Sequence, residues 1–312
     1  MSNPTPTQEA AWTIGRLLTW TTDYLARNRV DEPRLCSEVL LAHACHCRRI
    51  DLYARFDQPI EPEALDNFRL LIKRAAAQEP IAYLVGEREF FSLPFVVTPA
   101  VLIPRPETET LVEVAIDHCS RAGLVEPRIL EIGTGSGCIA VALAKNVAGA
   151  TIVATDISSE AIGVARQNAQ RHAVQDRVCL MEADRFALPA EIVANDGFDL
   201  LVSNPPYVAL DGMAGLAPMV RDFEPRVALT DEGDGLSFYR DIAENAGRVL
   251  KPDGRIIVEV GDGQAELVLA EVEKIGALRH ERTVRDRVVR RDRVLVFSLD
   301  SSVGSAPVHH GG

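Results

Sequence analysis

From Pro127 onward the chain alternates short apolar runs with segments of helical period, and this constrains its fold more than any other feature. The runs at 128–132, 151–155, 178–181, 198–202, 255–260 and 294–297 read as strands. The segments at 138–146, 160–172, 238–250 and 264–275 read as helices. Parallel strands need long crossovers, and helices of this length supply them, so the pattern predicts a doubly wound sheet. In such sheets ligands bind beyond the C-terminal ends of the strands. The residues that follow each strand are therefore the first candidates for a site.

Two of these strand ends stand out. The first strand runs into Ile132-Gly133-Thr134-Gly135-Ser136-Gly137-Cys138. Glycines there let the backbone turn tightly and approach a ligand. The spacing is Gly-x-Gly-x-Gly, whereas a dinucleotide fingerprint needs Gly-x-Gly-x-x-Gly or Ala and would place it at Cys138. No Gly-Lys-Ser/Thr follows for a nucleotide phosphate. Asp156 ends the second strand, where a carboxylate accepts from ribose hydroxyls. Asp184 follows the third and suits an adenine amino group. Together these suit S-adenosylmethionine better than NAD; the competing reading is that the glycines serve strand–helix packing alone.

The second is Ser203-Asn204-Pro205-Pro206-Tyr207. Two prolines cannot extend a central strand, because each lacks the ladder N–H. The corner they form sets an amide side chain, the Pro205 carbonyl and the Tyr207 ring at one point. Two oxygens and a ring suit a planar group bearing an NH2. An ordinary strand-to-loop turn is the plainer alternative, since Asn-Pro commonly opens turns.

The N-terminal part differs. Residues 12–77 carry helical periodicity punctuated by Pro33, Pro59 and Pro62, which predicts a small helical domain over 1–78. Residues 79–104 read as a β-hairpin linker, 105–300 as the sheet domain and 301–312 as a small, polar, disordered tail. His43, Cys45, His46 and Cys47 have no second ligand pair nearby, so no metal is expected. Arg105, between two prolines and followed by Glu107 and Glu109, either shapes a site or pairs across a helix start.

Charge and cysteine usage exclude further classes. The formal net charge is -12, which disfavours stable nucleic-acid binding. No apolar run reaches membrane-spanning length, and the first residues lack the pattern of a signal peptide. Six cysteines scattered among helices and strands suggest reduced thiols and a cytoplasmic protein.

With both strand ends in view, the chain resembles class I methyltransferases and, more closely, the protein glutamine N5-methyltransferases of the release-factor (HemK/PrmC) type. The resemblance spans residues 12–297. It rests on Glu79-Pro-Ile-Ala-Tyr83, Leu102-Ile-Pro-Arg-Pro-Glu-Thr-Glu109, the glycine loop, Asn204-Pro205-Pro206-Tyr207, and Phe223-Glu-Pro-Arg-Val-Ala-Leu229 with Asp234-Gly-Leu236. The relative acting on ribosomal protein uL3 reads Pro-Arg-Ser-Pro where this chain has Pro104-Arg105-Pro106-Glu107.

The resemblance implies a Rossmann-like sheet, seven-stranded and mostly parallel, with a small N-terminal helical domain joined by a β-hairpin. It implies methyl transfer from S-adenosyl-L-methionine to the glutamine of the Gly-Gly-Gln motif in peptide chain release factors. Glu131, Gly133, Thr134, Gly135, Ser136, Gly137, Asp156, Ile157, Asp184, Arg185 and Asn204 would hold the cofactor. Asn204, Pro205, Pro206, Tyr207 and Arg105 would hold the glutamine, with Asn204, Pro205 and Tyr207 catalytic. Where family members often place an aromatic beside the adenine, this chain has Arg185; either its guanidinium stacks there or Phe186 takes over.

A glutamine amide nitrogen is a poor nucleophile, because its lone pair is delocalised into the carbonyl. The expected role of the Asn204 oxygen and the Pro205 carbonyl is to accept its two N–H groups and align it. Methylation of uL3 and of an exocyclic amine in a nucleic acid are the alternatives. The latter requires base extraction and a basic surface.

Overall fold

The computed structural model describes residues 12–193, 196–287 and 290–300. The first residues and the 301–312 tail, for which the sequence suggested no signal peptide and disorder, lie outside the described residues. The chain divides into two compact units. One comprises residues up to Gly86 together with Pro218–Phe223, and the other holds the rest.

The first unit is helical: α1 (Ile14–Arg27), α2 (Pro33–Ala44), α3 (Arg49–Ala54), α4 (Pro62–Ala76) and α5 (Ile81–Val85). Thr13 caps α1 by accepting the Arg16 N–H, and prolines open α2 and α4, where a missing N–H costs nothing. Leu18, Leu25, Leu40, Leu41 and Leu52 are fully buried at its centre. Each such side chain contributes about 1.5–3 kcal/mol. One buried charge interrupts this core. Glu38, 4% exposed, receives Arg34, Arg49 and the Tyr53 hydroxyl. Burial alone would raise its carboxyl, but the bonds from Tyr53, Arg49 and Arg34 hold it down at about 2.

The second unit opens with a hairpin, β1 (Glu87–Phe90) and β2 (Leu93–Val96), antiparallel in register Glu87 to Val96. The sequence reading extended this hairpin back over residues 81–85, which instead form α5, closed by Gly86 in the left-handed region. A five-residue apolar run carries too little periodicity to separate strand from helix. The hairpin's two-residue turn needs positive φ at both positions, and Phe91 and Ser92 adopt 50° and 59°. Glu109 steadies this strained turn by accepting the Phe91 N–H at 2.8 Å.

After a 3₁₀ turn at Pro106–Thr108 come α6 (Glu109–Arg121), β3 (Arg128–Ile132), α7 (Cys138–Asn146), β4 (Thr151–Asp156), α8 (Ser159–Arg171), β5 (Val178–Glu182), α9 (Ala190–Val193) and β6 (Phe198–Ser203). Next are α10 (Pro218–Arg221), which falls in the first unit, then α11 (Ser237–Val249), β7 (Leu250–Glu259), α12 (Ala265–Ile275), β8 (Leu278–Arg285) and β9 (Asp292–Leu299). The seven strands β3 to β9 form one mostly parallel sheet in the order β5-β4-β3-β6-β7-β9-β8, with β9 antiparallel to both neighbours. The fold is Rossmann-like, and its order reverses at β3, which lies between β4 and β6.

Successive strand residues feed opposite faces. Ile129, Leu200 and Val202 join α6, α7 and the hairpin's Phe90 and Phe95 in one core. Leu130, Leu201 and Val258 join α11 and α12 in the other. The strand absent from the sequence reading is β8. Its segment Leu278-Arg-His-Glu-Arg-Thr-Val-Arg285 is largely exposed at the sheet edge, where charges blunt further pairing.

Candidate active site

Past the end of β3 the glycine loop is tied down from several sides. The Gly133 and Thr134 amides both donate to the Thr155 carbonyl, and the Gly135 amide donates to Asp156 Oδ2 at 2.8 Å. Asp156 Oδ1 accepts the Ser158 N–H at 3.0 Å. A carboxylate has about four acceptor positions, more than these backbone donors fill, so acceptor capacity remains for a ligand. Burial raises the Asp156 carboxyl, and the backbone bonds oppose it. Asn168, fully buried, brackets Val96 with both ends of its amide and donates to the Ser136 carbonyl, fixing hairpin and loop together.

The two kinds of glycine in this loop do different work. A Cβ on Gly137, at φ 78°, would sit 3.0 Å from Ala165 Cβ, so this glycine lets α7 approach α8. Gly133 and Gly135 face open space instead. Below the loop lies Glu131, fully buried, with Oε2 accepting the Thr134 hydroxyl at 2.9 Å and Oε1 without a partner among the described residues. Burial pushes its carboxyl up to about 8.

At the end of β6, the Ser203 hydroxyl donates to the Ile132 carbonyl, which joins the corner to the loop. Asn204 Nδ2 donates to Thr108 Oγ1 at 3.1 Å. The Tyr207 carbonyl accepts from Gln264 Nε2 at 2.6 Å, and its hydroxyl reaches Glu259 Oε1 at 3.5 Å. The Tyr207 ring packs on the core beneath α11 and α12. Arg105 does not pair with Glu107 or Glu109. Its partner is Glu224, which also accepts the Ile103 N–H.

A cavity of about 350 Å³ joins these parts. It brings together Gly133, Thr134, Gly135, Ser136, Asp156, Ile157, Asp184, Arg185, Asn204, Pro206 and Arg105. It leaves Glu131, Gly137, Pro205 and Tyr207 outside its lining. Sequence reasoning missed Thr108 and Phe238, both of which line it. Thr108 sat within a quoted motif without a role; Phe238 had only its place at the start of α11. Arg185 pairs with Asp241 and lies 4.0 Å above the Phe238 ring. Phe186 packs into the core instead. Among the described residues no group of His, Cys, Asp and Glu could hold a metal ion, and no helix is long and apolar enough to cross a membrane.

Comparison with known proteins bears on both units. The family model described as the PrmC N-terminal domain matches residues 16–86, and a methyltransferase domain model matches residues 125–289. The chain is 46% identical over 265 residues to the release factor glutamine methyltransferase of Geobacter sulfurreducens, covering 85% of this chain and 90% of that one. It is 38% identical over 296 residues to the enzyme of the same name from Rhodopirellula baltica, covering 94% and 97%. Among solved structures it resembles the hMettl16 catalytic domain in complex with MAT2A 3′UTR hairpin 6. The TM-score is 0.53 at 19% identity, over 72% of this chain and 82% of that one, a likeness of fold alone.

Proposed function

This chain belongs to the release factor glutamine methyltransferase family, and from that premise we propose that it methylates the side-chain amide nitrogen of the glutamine in the Gly-Gly-Gln motif of peptide chain release factors. The methyl donor is S-adenosyl-L-methionine. The observation that carries this reading is the single cavity that puts Asp156 and the open glycine loop beside the Asn204 carboxamide.

The residues present fit such a donor. Gly133 and Gly135 offer an open cradle, and Asp156 keeps acceptor capacity for ribose hydroxyls. Arg185 and Phe238 form a platform for a flat base, with Asp184 beside it. When bound, S-adenosylmethionine supplies an electrophilic methyl on a sulfonium.

The chain's own task is then alignment. Asn204 Oδ1 accepts one N–H of the substrate amide and turns its nitrogen toward the donor. The same oxygen favours positive charge as it develops on that nitrogen. We assign the second acceptor to the Pro205 carbonyl; Tyr207, set back against the core, braces the corner from behind. Arg105, held by Glu224, borders the entry to the glutamine site.

We assign selection of the protein substrate to the first unit. A glutamine side chain offers little area, so choosing one glutamine needs contacts remote from the chemistry. Trp20, Ile50, Tyr53 and Leu70 are exposed on that unit and available for such contacts. A release-factor substrate places the enzyme in the cytoplasm. The test is incubation with labelled S-adenosylmethionine and, separately, release factor, uL3 and duplex DNA. Label on release factor is expected; label on uL3 or DNA with none on release factor would overturn the reading.

A further inference from the structure

The peptide carbonyl of Tyr207, the last residue of the corner after β6, is gripped from two sides. On one side is the side chain of Gln264, the residue just before α12. Its Nε2 donates to the Tyr207 carbonyl at 2.6 Å, and its Oε1 accepts the Gly261 N–H at 3.1 Å. Both partners are backbone groups, one an acceptor and the other a donor, so the carboxamide has a single orientation that satisfies them. A Cβ on Gly261 would lie 2.6 Å from Gln264 Oε1 and 3.0 Å from the Tyr207 ring. The φ of Gly261 is outside the left-handed region, so it is space that calls for glycine there. On the other side is Gly235, at φ 75°, where a Cβ would collide with the same Tyr207 oxygen. Asp231 fixes this glycine by accepting the Gly233, Gly235 and Ser237 amides, each at 2.9 Å.

We propose that Gln264 is a positioning residue for methyl transfer: by holding the Tyr207 carbonyl against Gly235, it sets where the acceptor oxygens of the corner stand. The inference rests on the assignment of Asn204-Pro205-Pro206-Tyr207 as the acceptor for the glutamine amide. Pro205 and Pro206 have no N–H, so the middle of the corner cannot be tethered through backbone donors. Its two ends are tied instead. Before Asn204, the Ser203 hydroxyl donates to the Ile132 carbonyl at 2.7 Å; after Pro206, Gln264 holds Tyr207. The proline rings fix φ at about −65°, so the segment between these ties is stiff, and a shift at Tyr207 is carried back to Asn204.

Methyl transfer needs the amide nitrogen in line with the donor, and a misplacement of about 1 Å can cost on the order of a hundredfold in rate. Gln264 is not in the cavity lining, so it acts through the corner and not on a ligand. This separates its role from that of a plain structural brace. A brace for stability alone would lower the number of folded chains and leave the rate of each unchanged. A brace that places the corner lowers the rate of chains that are folded and carry cofactor.

The experiment uses the full chain and its Gln264→Met and Gly261→Ala variants. Gln264→Met keeps the length of the side chain and removes both hydrogen bonds, while Gly261→Ala pushes Gln264 Oε1 aside. Calorimetric titration with S-adenosylmethionine counts the cofactor-binding sites in each, and single-turnover methylation of release factor then gives a rate per site. At saturating release factor, that rate is expected to fall by about tenfold or more in Gln264→Met. Cofactor affinity and the half-saturating release factor concentration are expected within about threefold of the parent's, because the contacts that set them lie elsewhere. A rate per site equal to the parent's, or a loss confined to the affinities, overturns the proposal. If Gln264→Met does not fold, Gly261→Ala carries the same expectation and the same refutation. A parent chain that methylates no release factor would sink the functional reading alone. The side-chain NH2 signal of Asn204 in nitrogen-labelled protein then decides the inference, since it reports on the corner without any substrate. It is expected to shift in both variants, and an unchanged signal overturns it.

Discussion

The Gly135 amide donates to Asp156 Oδ2 across 2.8 Å, so one carboxylate closes the loop after β3 and borders the cavity. Removing it takes away the loop's anchor and the proposed ribose acceptor together. Asp156→Ala should lose about 1.5–3 kcal/mol of cofactor affinity for each charged hydrogen bond that goes. Asp156→Asn, which keeps one acceptor, should lose less. Calorimetric titration with S-adenosylmethionine checks this, and unchanged affinity in Asp156→Ala would contradict the assignment.

Phe238 supports the Arg185 guanidinium at 4.0 Å, and both face the cavity. Phe238→Ala should weaken cofactor binding by about 1–3 kcal/mol, the usual range for a base stacked on an aromatic platform. Phe186→Ala should instead lower stability, because that ring packs into the core. If Phe186→Ala weakened cofactor binding while Phe238→Ala did not, the platform would be misplaced.

Much of this site was legible because it follows strand ends. Short apolar runs marked β3 to β6, and the residues just after them supplied the loop, Asp156, Asp184 and Asn204. What stayed hidden depends on partners remote in sequence. Glu224 lies 119 residues from Arg105, and nothing near either residue announces the pair. Glu109 looked like part of a charged helix start, yet it holds the hairpin turn at Phe91. β8 escaped because an exposed edge strand needs no apolar alternation, and the local charges of Arg279, Glu281 and Arg282 masked it.

Glu38 makes the first unit's stability depend on acid. Its carboxyl ordinarily titrates near 4.5 and is held at about 2 in the folded chain. The folded value lies below the unfolded one, so the stabilisation is present above 4.5 and fades as pH falls toward 2. Glu38→Gln should cost about 1–3 kcal/mol at neutral pH, with Arg34 and Arg49 partly recovering hydration. Urea denaturation across pH should show the gap between parent and variant narrowing in acid. A gap that stays constant would mean that charge is not what Glu38 contributes.

The hairpin determines where the chain can be cut. Phe90 and Phe95 are buried in the core beside α6 and α7, so a chain beginning at Val101 would lose them. A chain beginning at Glu87 keeps them. It should bind cofactor like the parent, within about 1 kcal/mol, because every cavity residue lies beyond the cut. Its methylation of folded release factor should collapse. Full activity on the folded partner, from a properly folded shortened chain, would leave the helical unit without its proposed role.

Mass spectrometry of a release factor after incubation with the chain and S-adenosylmethionine addresses the central claim most directly. The account predicts one added methyl group, located by fragmentation on the side chain of the Gly-Gly-Gln glutamine. It also predicts no such product from Asn204→Ala, whose fold remains intact. An unmodified glutamine after prolonged incubation with cofactor-bound enzyme, or a methyl group on any other residue, would contradict it.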